Sequence, residues 1–202
     1  MKRVGVLSFQ GGVLEHLNQI KALGHEAIQI KKEEDLKNLD AIILPGGEST
    51  TMGKLLDVTG LKEPLKEKIK SGIPTWGTCA GMILLAKEIE NDSRRHLSLM
   101  DIKVRRNAFG TQIDSFKTKK VIKEVSENPL ELVFIRAPFI TEIKDNVKVL
   151  CEVNNNIVAV RQDNMIATSF HPELTSDLTF LKYFLNIYKK LSLNLKLREN
   201  HN

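Results

Sequence analysis

Apolar residues in the first half of the chain alternate between short β-type runs and stretches with helical spacing. Strand-like runs cover residues 3–9, 26–30 and 40–44, and a fourth begins at Ile73. Helical patterns fill most of the intervals, with a shorter helical turn at 35–39. This alternation predicts a three-layer α/β/α fold with a central, mostly parallel sheet, of the flavodoxin-like class.

The first predicted helix, over 13–23, should bury one apolar stripe. Glycine readily adopts the left-handed conformation that commonly closes a helix, so Gly24 should end it. The residues that recur at helical spacing, and that we expect to face the sheet, are Leu14, Leu17, Ile20 and Leu23.

After Glu90 the pattern changes to short strands separated by Asn, Asp or Pro. We expect them to make antiparallel additions to the same sheet, so that residues 1–190 form a single domain. An amphipathic helix over 175–190 should close it, and residues 191–202 should be a polar, frayed tail. The expected strands are Ile102–Arg106, Gln112–Phe116, Leu132–Ile135, Val147–Val153, Ile157–Arg161 and Met165–Ser169. The inward face of the closing helix should carry Leu178, Leu181, Phe184, Leu185 and Tyr188.

Composition excludes several classes of function. The 202 residues carry a net charge of +5, but the lysines are scattered and aromatic residues make up only 5%. A solvated basic face explains this charge better than a nucleic-acid surface does. With no signal-peptide pattern and no long apolar run, we expect a cytoplasmic protein without membrane association. Both cysteines should then be free thiols, with Cys151 a small core residue.

Cys79 stands in a turn between a short strand and a helix, flanked by Gly77 and Gly81. Gly-x-Cys-x-Gly at such a turn is typical of a nucleophile elbow, where small neighbours allow a sharp bend that exposes the side chain. The helix that begins near Ala80 directs free N–H groups toward the sulfur and favours the thiolate. A buried structural thiol is the commoner role of a cysteine, but it would not need this turn. We therefore expect a nucleophile.

A histidine and a carboxylate follow far downstream, as His171 and Glu173. Alone, this pair is more typical of a surface turn that enters a helix. Pro172 biases His171 toward extended backbone, in which residues i and i+2 point to the same side. The carboxylate could then orient the imidazole, and together with Cys79 the pair would complete a catalytic triad.

Paired glycines end the third predicted strand, at Gly46 and Gly47. A generic turn would account for them, since doubled glycines are common at strand ends. The functional alternative is an oxyanion hole formed by the N–H groups of Gly47 and Ala80. Arginines also lie at predicted strand ends, at 105–106 and at 136; either they are solvated charges or they bind a substrate carboxylate.

These residues together resemble the class I glutamine amidotransferases, and within them the glutaminase subunits of pyridoxal 5′-phosphate synthases. The resemblance covers residues 2–190, and one departure is Thr111, where that branch carries a basic residue. The matching motifs are Gln10-Gly11, Pro45-Gly46-Gly47-Glu48-Ser49-Thr50-Thr51, Thr78-Cys79-Ala80-Gly81, Arg105-Arg106-Asn107-Ala108-Phe109-Gly110, Phe134-Ile135-Arg136-Ala137-Pro138 and Phe170-His171-Pro172-Glu173-Leu174.

The resemblance implies hydrolysis of L-glutamine through a Cys-His-Glu triad, without metal or cofactor. It implies a (β/α)₈-barrel synthase partner that receives the ammonia for vitamin B6 biosynthesis. Gln10 would lie at the interface with that partner. We further expect the carbonyl of the Gly46-Gly47 peptide to face the site in the isolated chain, and docking near Gln10, the Glu48 loop and Arg106 to turn it and switch the site on, because glycine has no Cβ to oppose the change. The glutamine site would be lined by Gly46, Gly47, Glu48, Arg106, Ile135 and Arg136.

Two other functions remain open from the sequence. An intracellular cysteine peptidase of the PfpI-like kind has an elbow on a similar sheet, but in that pattern a histidine follows the cysteine, where this chain has Ala80. A non-catalytic regulatory subunit is the second, although all three triad residues are present.

Overall fold

A ten-stranded sheet forms the centre of the molecule in a computed structural model, which describes residues 1–106 and 115–187. The strand order is β2-β1-β3-β4-β12-β11-β9-β6-β5, with β10 paired to β11; β7 and β8 form a separate hairpin. The strands are β1 (Arg3–Leu7), β2 (Glu26–Ile30), β3 (Ala41–Leu44), β4 (Thr75–Thr78), β5 (Ala86–Ile89), β6 (Met100–Arg105), β7 (Ser115–Ile122), β8 (Ser126–Ile135), β9 (Phe139–Ile143), β10 (Lys148–Val153), β11 (Asn156–Gln162) and β12 (Met165–Thr168).

Parallel pairing runs from β2 across to β12, and antiparallel pairing continues from β12 through β11, β9 and β6. The predicted mostly parallel sheet with antiparallel additions is therefore confirmed. The helices are α1 (Val13–Ala22), α2 (Ser49–Val58), α3 (Lys62–Lys70), α4 (Ala80–Leu85) and α5 (179–187), with 3-10 helices at Glu33–Leu36 and Pro172–Leu174.

Hydrophobic cores lie on both faces of the sheet, as a three-layer fold requires. Alternation along β3 shows this: Ile42 and Leu44 pack into the core with α2, α3 and α4, whereas Ala41 and Ile43 pack into the core with α1 and α5. The second core contains a stacked aromatic pair, Trp76 and Phe180, with ring centroids 4.9 Å apart.

The predicted apolar stripe of α1 is wrong at Leu14, which is 64% exposed. A helix turns about 100° per residue, so a stripe centred on Ile20 also contains positions 13, 16 and 17 but leaves position 14 to one side. The buried face therefore includes a polar side chain, that of His16. Gly24 follows the helix with φ of +73°, in agreement with its predicted role.

Other predicted boundaries shift by a few residues, and two strands are additional. The sequence did not predict β5 or β9. Strand β5 was missed because α4, at only six residues, ends earlier than its apolar sequence suggests. The turn expected at 35–39 is a 3-10 helix at Glu33–Leu36. Leu178 precedes α5 and is half-buried. Outside the described residues lie Tyr188, Thr111, the 191–202 tail, most of the predicted strand at 112–116 and the end of the arginine motif, 107–110.

Candidate active site

Four loops meet at one edge of the sheet, where the parallel strands β1, β3, β4 and β12 end side by side. Such an edge is where open α/β sheets bind ligands. The last three of these loops, together with Arg106 and the segment at 135–138, line a cavity of about 330 Å³. It is lined by Gly47, Glu48, Ser49, Cys79, Ala80, Ile83, Arg106, Ile135, Arg136, Pro138 and His171.

Cys79 joins β4 to α4 in a strained backbone conformation, with φ of 48° and ψ of −103°. The fold holds this conformation in place, since Cys79 N–H donates to the Thr168 carbonyl at 2.7 Å. The glycines permit the close packing of the elbow: a Cβ on Gly77 would lie 2.5 Å from the Gly81 oxygen, and one on Gly81 would lie 1.9 Å from the Leu44 oxygen. The predicted elbow is present.

The Cys79 side chain is less open than expected from the elbow pattern. The residue is only 8% exposed, although it lines the cavity. Its environment is thus a covered pocket floor, where electrostatic interactions are stronger than in bulk water.

His171 and Glu173 are paired, with His171 Nδ1 2.7 Å from Glu173 Oε1. The backbone that brings the two side chains together differs from the extended segment predicted. His171 lies outside helical backbone, whereas Pro172 begins a 3-10 helix that contains Glu173 and turns its carboxylate back toward the ring. The loop is anchored by His171 N–H, which donates to the Val133 carbonyl at 2.8 Å.

The ionisation of this pair is set by burial and by neighbouring charges. Burial lowers the pKa of His171, but the interactions of its ring with Cys79 and Glu173 outweigh this effect and raise the pKa to about 10. Burial raises the pKa of Glu173, and the nearby rings of His16 and His171 lower it by more. An imidazolium between a sulfur and an ionised carboxylate is the arrangement that activates a cysteine nucleophile.

The Gly46-Gly47 peptide has its carbonyl turned to the β1–α1 loop, because Gly46 O accepts a hydrogen bond from Gly12 N–H at 3.3 Å. The orientation expected for the isolated chain, with this carbonyl facing the pocket, is therefore not the one in the structure. Gly47, and not Gly46, lines the cavity. Gly46 instead lies against His171, since a Cβ there would be 2.4 Å from the Cε1 atom of the ring.

Ala80 is the first residue of α4, and a helix leaves its first amides without intrahelical partners. Because a trans peptide places its N–H opposite its C=O, the Gly47 N–H points away from Gly12. The structure thus places Gly47 and Ala80, the two predicted oxyanion-hole residues, on one cavity beside Cys79.

Glu48 lines the cavity but also caps α2. Its carboxylate accepts hydrogen bonds from Thr50 N–H at 3.0 Å and from Thr51 N–H at 2.7 Å. Partial burial raises the pKa of Glu48, but the hydrogen bonds from these two amides outweigh this effect and lower the pKa to about 2. Gln10 is not in the cavity; its side chain amide donates to the Glu48 carbonyl at 2.9 Å and so connects the first loop to the second.

The three arginines have separate environments. Arg105 pairs with Glu90 and stacks over a phenylalanine ring, outside the cavity. Arg106 lines the cavity but lies 3.4 Å from both Glu48 and Asp92. For Arg136, no carboxylate of residues 1–106 or 115–187 lies within ion-pair distance, and its φ of 41° is unusual for a side-chain-bearing residue.

Ile135 is 37% exposed at the end of β8 and also lines the cavity. The sequence analysis did not identify Ser49, Ile83 and Pro138 as cavity residues. Ile83 could have been found from its spacing, because it lies one helical turn after Cys79 on α4. Ser49 and Pro138 belong to the matching motifs, but neither type of side chain indicates a particular chemistry.

Three further features concern the part of the chain that the structure describes: the second cysteine, possible metal ligands and the character of the helices. Cys151 is a free, buried thiol in the core beneath α1 and α5, and burial raises its pKa to about 11. Within the described ranges, no group of three or more His, Cys, Asp or Glu residues could hold a metal ion. None of the described helices has the length and apolar character needed to cross a membrane.

Comparison with known proteins places this geometry in a family. The model of the SNO glutamine amidotransferase family matches residues 6–190. The chain belongs to this family. A similar relative, at 72% identity over 91% of this chain and 96% of its own length, is pyridoxal 5′-phosphate synthase subunit PdxT of Clostridium beijerinckii. The protein of the same name from Clostridium kluyveri is 60% identical, over 91% of this chain and 98% of its own.

The fold of this SNO-family chain is also that of a solved structure described as a glutamine amidotransferase. The TM-score is 0.86 at 42% identity, with 91% of this chain and 97% of that chain covered. The crystal structure of a glutamine amidotransferase from Thermotoga maritima, at 16% identity and a TM-score of 0.62, covers 96% of this chain and 85% of that chain and shares the fold alone. The predicted membership of the glutamine amidotransferases is confirmed.

Proposed function

We propose that the chain is the glutaminase subunit of a pyridoxal 5′-phosphate synthase, acting in the cytoplasm. It hydrolyses L-glutamine to L-glutamate and ammonia and supplies the ammonia to a synthase subunit. The observation that carries the proposal is the 2.7 Å contact between His171 and Glu173 beside a cavity whose floor is Cys79. The two relatives named pyridoxal 5′-phosphate synthase subunit PdxT support the choice of synthase.

The reaction begins with attack of the Cys79 sulfur on the side-chain amide carbon of glutamine. A C–S bond forms, and the carbonyl electron pair moves to the oxygen. When the tetrahedral intermediate collapses, the C–N bond breaks and ammonia leaves with the proton from His171. Water then attacks the γ-glutamyl thioester while neutral His171 accepts a proton from it, and glutamate leaves as the C–S bond breaks.

Glu173 transfers no proton in this scheme. Its Oε1 holds Nδ1 of His171, so the other ring nitrogen faces the cavity, and its charge stabilises the imidazolium. The negative oxygen of the tetrahedral intermediate binds the N–H groups of Gly47 and Ala80. Loss of one such donor typically costs about 10²–10³ in rate.

The cavity offers partners of both signs to the amino-acid end of glutamine. We assign the α-carboxylate to Arg136, because the other cavity arginine, Arg106, is already shared between Glu48 and Asp92. Glu48, ionised even at acidic pH, supplies negative charge near the α-ammonium. Gly46 and Ile135 complete the site: Gly46 leaves room for the His171 ring, and Ile135 forms part of the wall.

The partner in this proposal is a (β/α)₈-barrel synthase subunit, docked near Gln10. The hydrogen bond from Gln10 to the Glu48 carbonyl connects an outer loop to the loop that carries Gly46 and Gly47. Docking at Gln10 would therefore steady the loop whose Gly47 N–H already faces the cavity, and ammonia would pass into the barrel.

Glutamate release from glutamine, measured with and without the synthase subunit, tests the proposal. We expect turnover that increases when the synthase is added and that is lost in Cys79→Ala. Peptide cleavage without glutamine turnover would support the cysteine peptidase instead. Failure of a diazoketone analogue of glutamine to label Cys79 in the complex would support a non-catalytic subunit.

A further inference from the structure

His16 is a fully buried histidine on α1 that has no role in the mechanism above. Its Nε2 atom lies 3.4 Å from the Thr78 hydroxyl and 3.6 Å from Oε2 of Glu173. The ring also packs against Trp76 in a T-shaped contact, at a centroid distance of 5.8 Å.

The second oxygen of the Glu173 carboxylate needs a partner. Oε1 is held by His171, but Oε2 is buried and has no hydrogen-bond partner among the described residues. An unpartnered carboxylate oxygen in an interior is costly. The side chain of His16 approaches it, and the 3.6 Å between Nε2 and Oε2 is a few tenths of an ångström beyond hydrogen-bond length.

The surroundings of His16 determine its tautomer. Nδ1 is buried without a partner in the described part of the chain. A proton on Nδ1 would leave a buried donor unsatisfied and would direct the Nε2 lone pair at an anion. A proton on Nε2 instead faces two acceptors, the Thr78 hydroxyl and the Glu173 carboxylate. Burial, more than the charges of Glu173 and His171, determines the pKa of His16 and lowers it, so the ring is neutral.

We propose that His16 is a positioning residue for catalysis: its neutral ring donates from Nε2 to Oε2 of Glu173 and fixes the carboxylate, which in turn orients His171. This inference rests on the triad proposed above. Glu173 would then be held from both sides, by His171 on Oε1 and by His16 on Oε2. The imidazole could not rotate as the proton moves between sulfur and leaving group.

The test uses three variants of the chain in complex with its synthase. His16→Leu removes the donor, His16→Gln returns an N–H near the position of Nε2, and Ile20→Val perturbs the same buried face of α1 without touching Glu173. We expect His16→Leu to lower kcat for glutamine hydrolysis about 10- to 100-fold with KM changed less than twofold, because misplaced catalytic groups cost rate more than binding. His16→Gln should recover most of that loss, and Ile20→Val should keep the wild-type kcat.

Two results would overturn the proposal: wild-type kcat in a folded His16→Leu variant, or an equal kcat loss in His16→Leu and His16→Gln. If His16→Leu does not fold, ring ¹⁵N NMR of the wild-type chain decides, because the proposal requires a neutral His16 with the proton on Nε2. Glu173→Ala separates this inference from the triad itself. If Glu173→Ala is fully active the triad is wrong, whereas an inactive Glu173→Ala beside a fully active His16→Leu refutes the role of His16 alone.

Discussion

Gly46 lies so close to His171 that a Cβ on the glycine would be 2.4 Å from Cε1 of the ring. We therefore expect Gly46→Ala to displace the imidazole and to lower kcat/KM by about 100-fold, the scale of loss caused by a displacement of about 1 Å in a catalytic group. Glutamate release measures this directly.

Gly53→Ala is the matched control, because a Cβ there would lie 2.1 Å from Nδ1 of His96, a histidine that does not line the cavity. It should reduce stability but keep the kcat of the folded protein. Similar kcat losses in both variants would show that the effect of Gly46→Ala is not local.

Cys79→Ser and Cys151→Ala should have opposite effects. Cys79→Ser should abolish glutamine hydrolysis, because the hydroxyl is a far weaker nucleophile at this position. Cys151→Ala should keep activity and lower the free energy of unfolding by about 1 kcal/mol, as for removal of a small buried group. An inactive Cys151→Ala variant with normal stability would show that Cys79 is the wrong choice of nucleophile.

Glu173→Gln should reduce kcat less than His171→Asn does. The carboxylate orients the ring and stabilises its charge, whereas His171 itself carries the proton. Steady-state kinetics on the two variants measure the difference. A larger loss in Glu173→Gln would mean that Glu173 takes part in proton transfer or in contact with the partner.

Stability should depend on His171 above neutral pH. The ring titrates near pH 6.5 when unfolded and at about 10 when folded, so folding favours the protonated form. The resulting stabilisation is complete below pH 6.5 and is lost as the pH rises through 10. Urea unfolding across this interval should show a decline in the free energy of unfolding that is smaller in His171→Gln than in the wild type.

Cys79→Ala should lower the pKa of the His171 ring in an NMR titration, since Cys79 is one of the groups that raise it.

Glu48→Ala should have two measurable effects. Loss of the cap on α2 should lower the free energy of unfolding by about 0.5–2 kcal/mol. Because the pKa of Glu48 is lowered, its stabilisation is present above its ordinary value of 4.5 and lost as the pH falls toward 2. Loss of negative charge beside the cavity should also raise KM for glutamine. Unchanged KM would exclude Glu48 from substrate binding.

The sequence predicted the parts of the site in which an unusual backbone requires particular residues. Gly77 and Gly81 around Cys79 indicate an elbow because close backbone contacts exclude other side chains there. The alternation of strands and helices also predicted the parallel half of the sheet, because the spacing of apolar residues shows which face of each element is buried.

The sequence could not predict contacts that depend on the packing of distant elements. His16 resembles any polar residue on a helix until α1 is placed against the Glu173 loop. Glu48 resembles a free carboxylate until its amide bonds to the first turn of α2 are visible. The spacing of Leu14 and Leu17 predicts a shared buried face, but residues three apart can also lie on either side of its border, and Leu14 is exposed.

The hydrogen bond from Cys79 N–H to Thr168 O joins the elbow to a strand from near the end of the described chain. During synthesis on the ribosome, the nucleophile therefore lacks the support for its strained backbone until β12 has emerged and paired with β4. A nascent chain that ends before β12 also lacks His171 and Glu173, so the site is complete only once the finished sheet has formed.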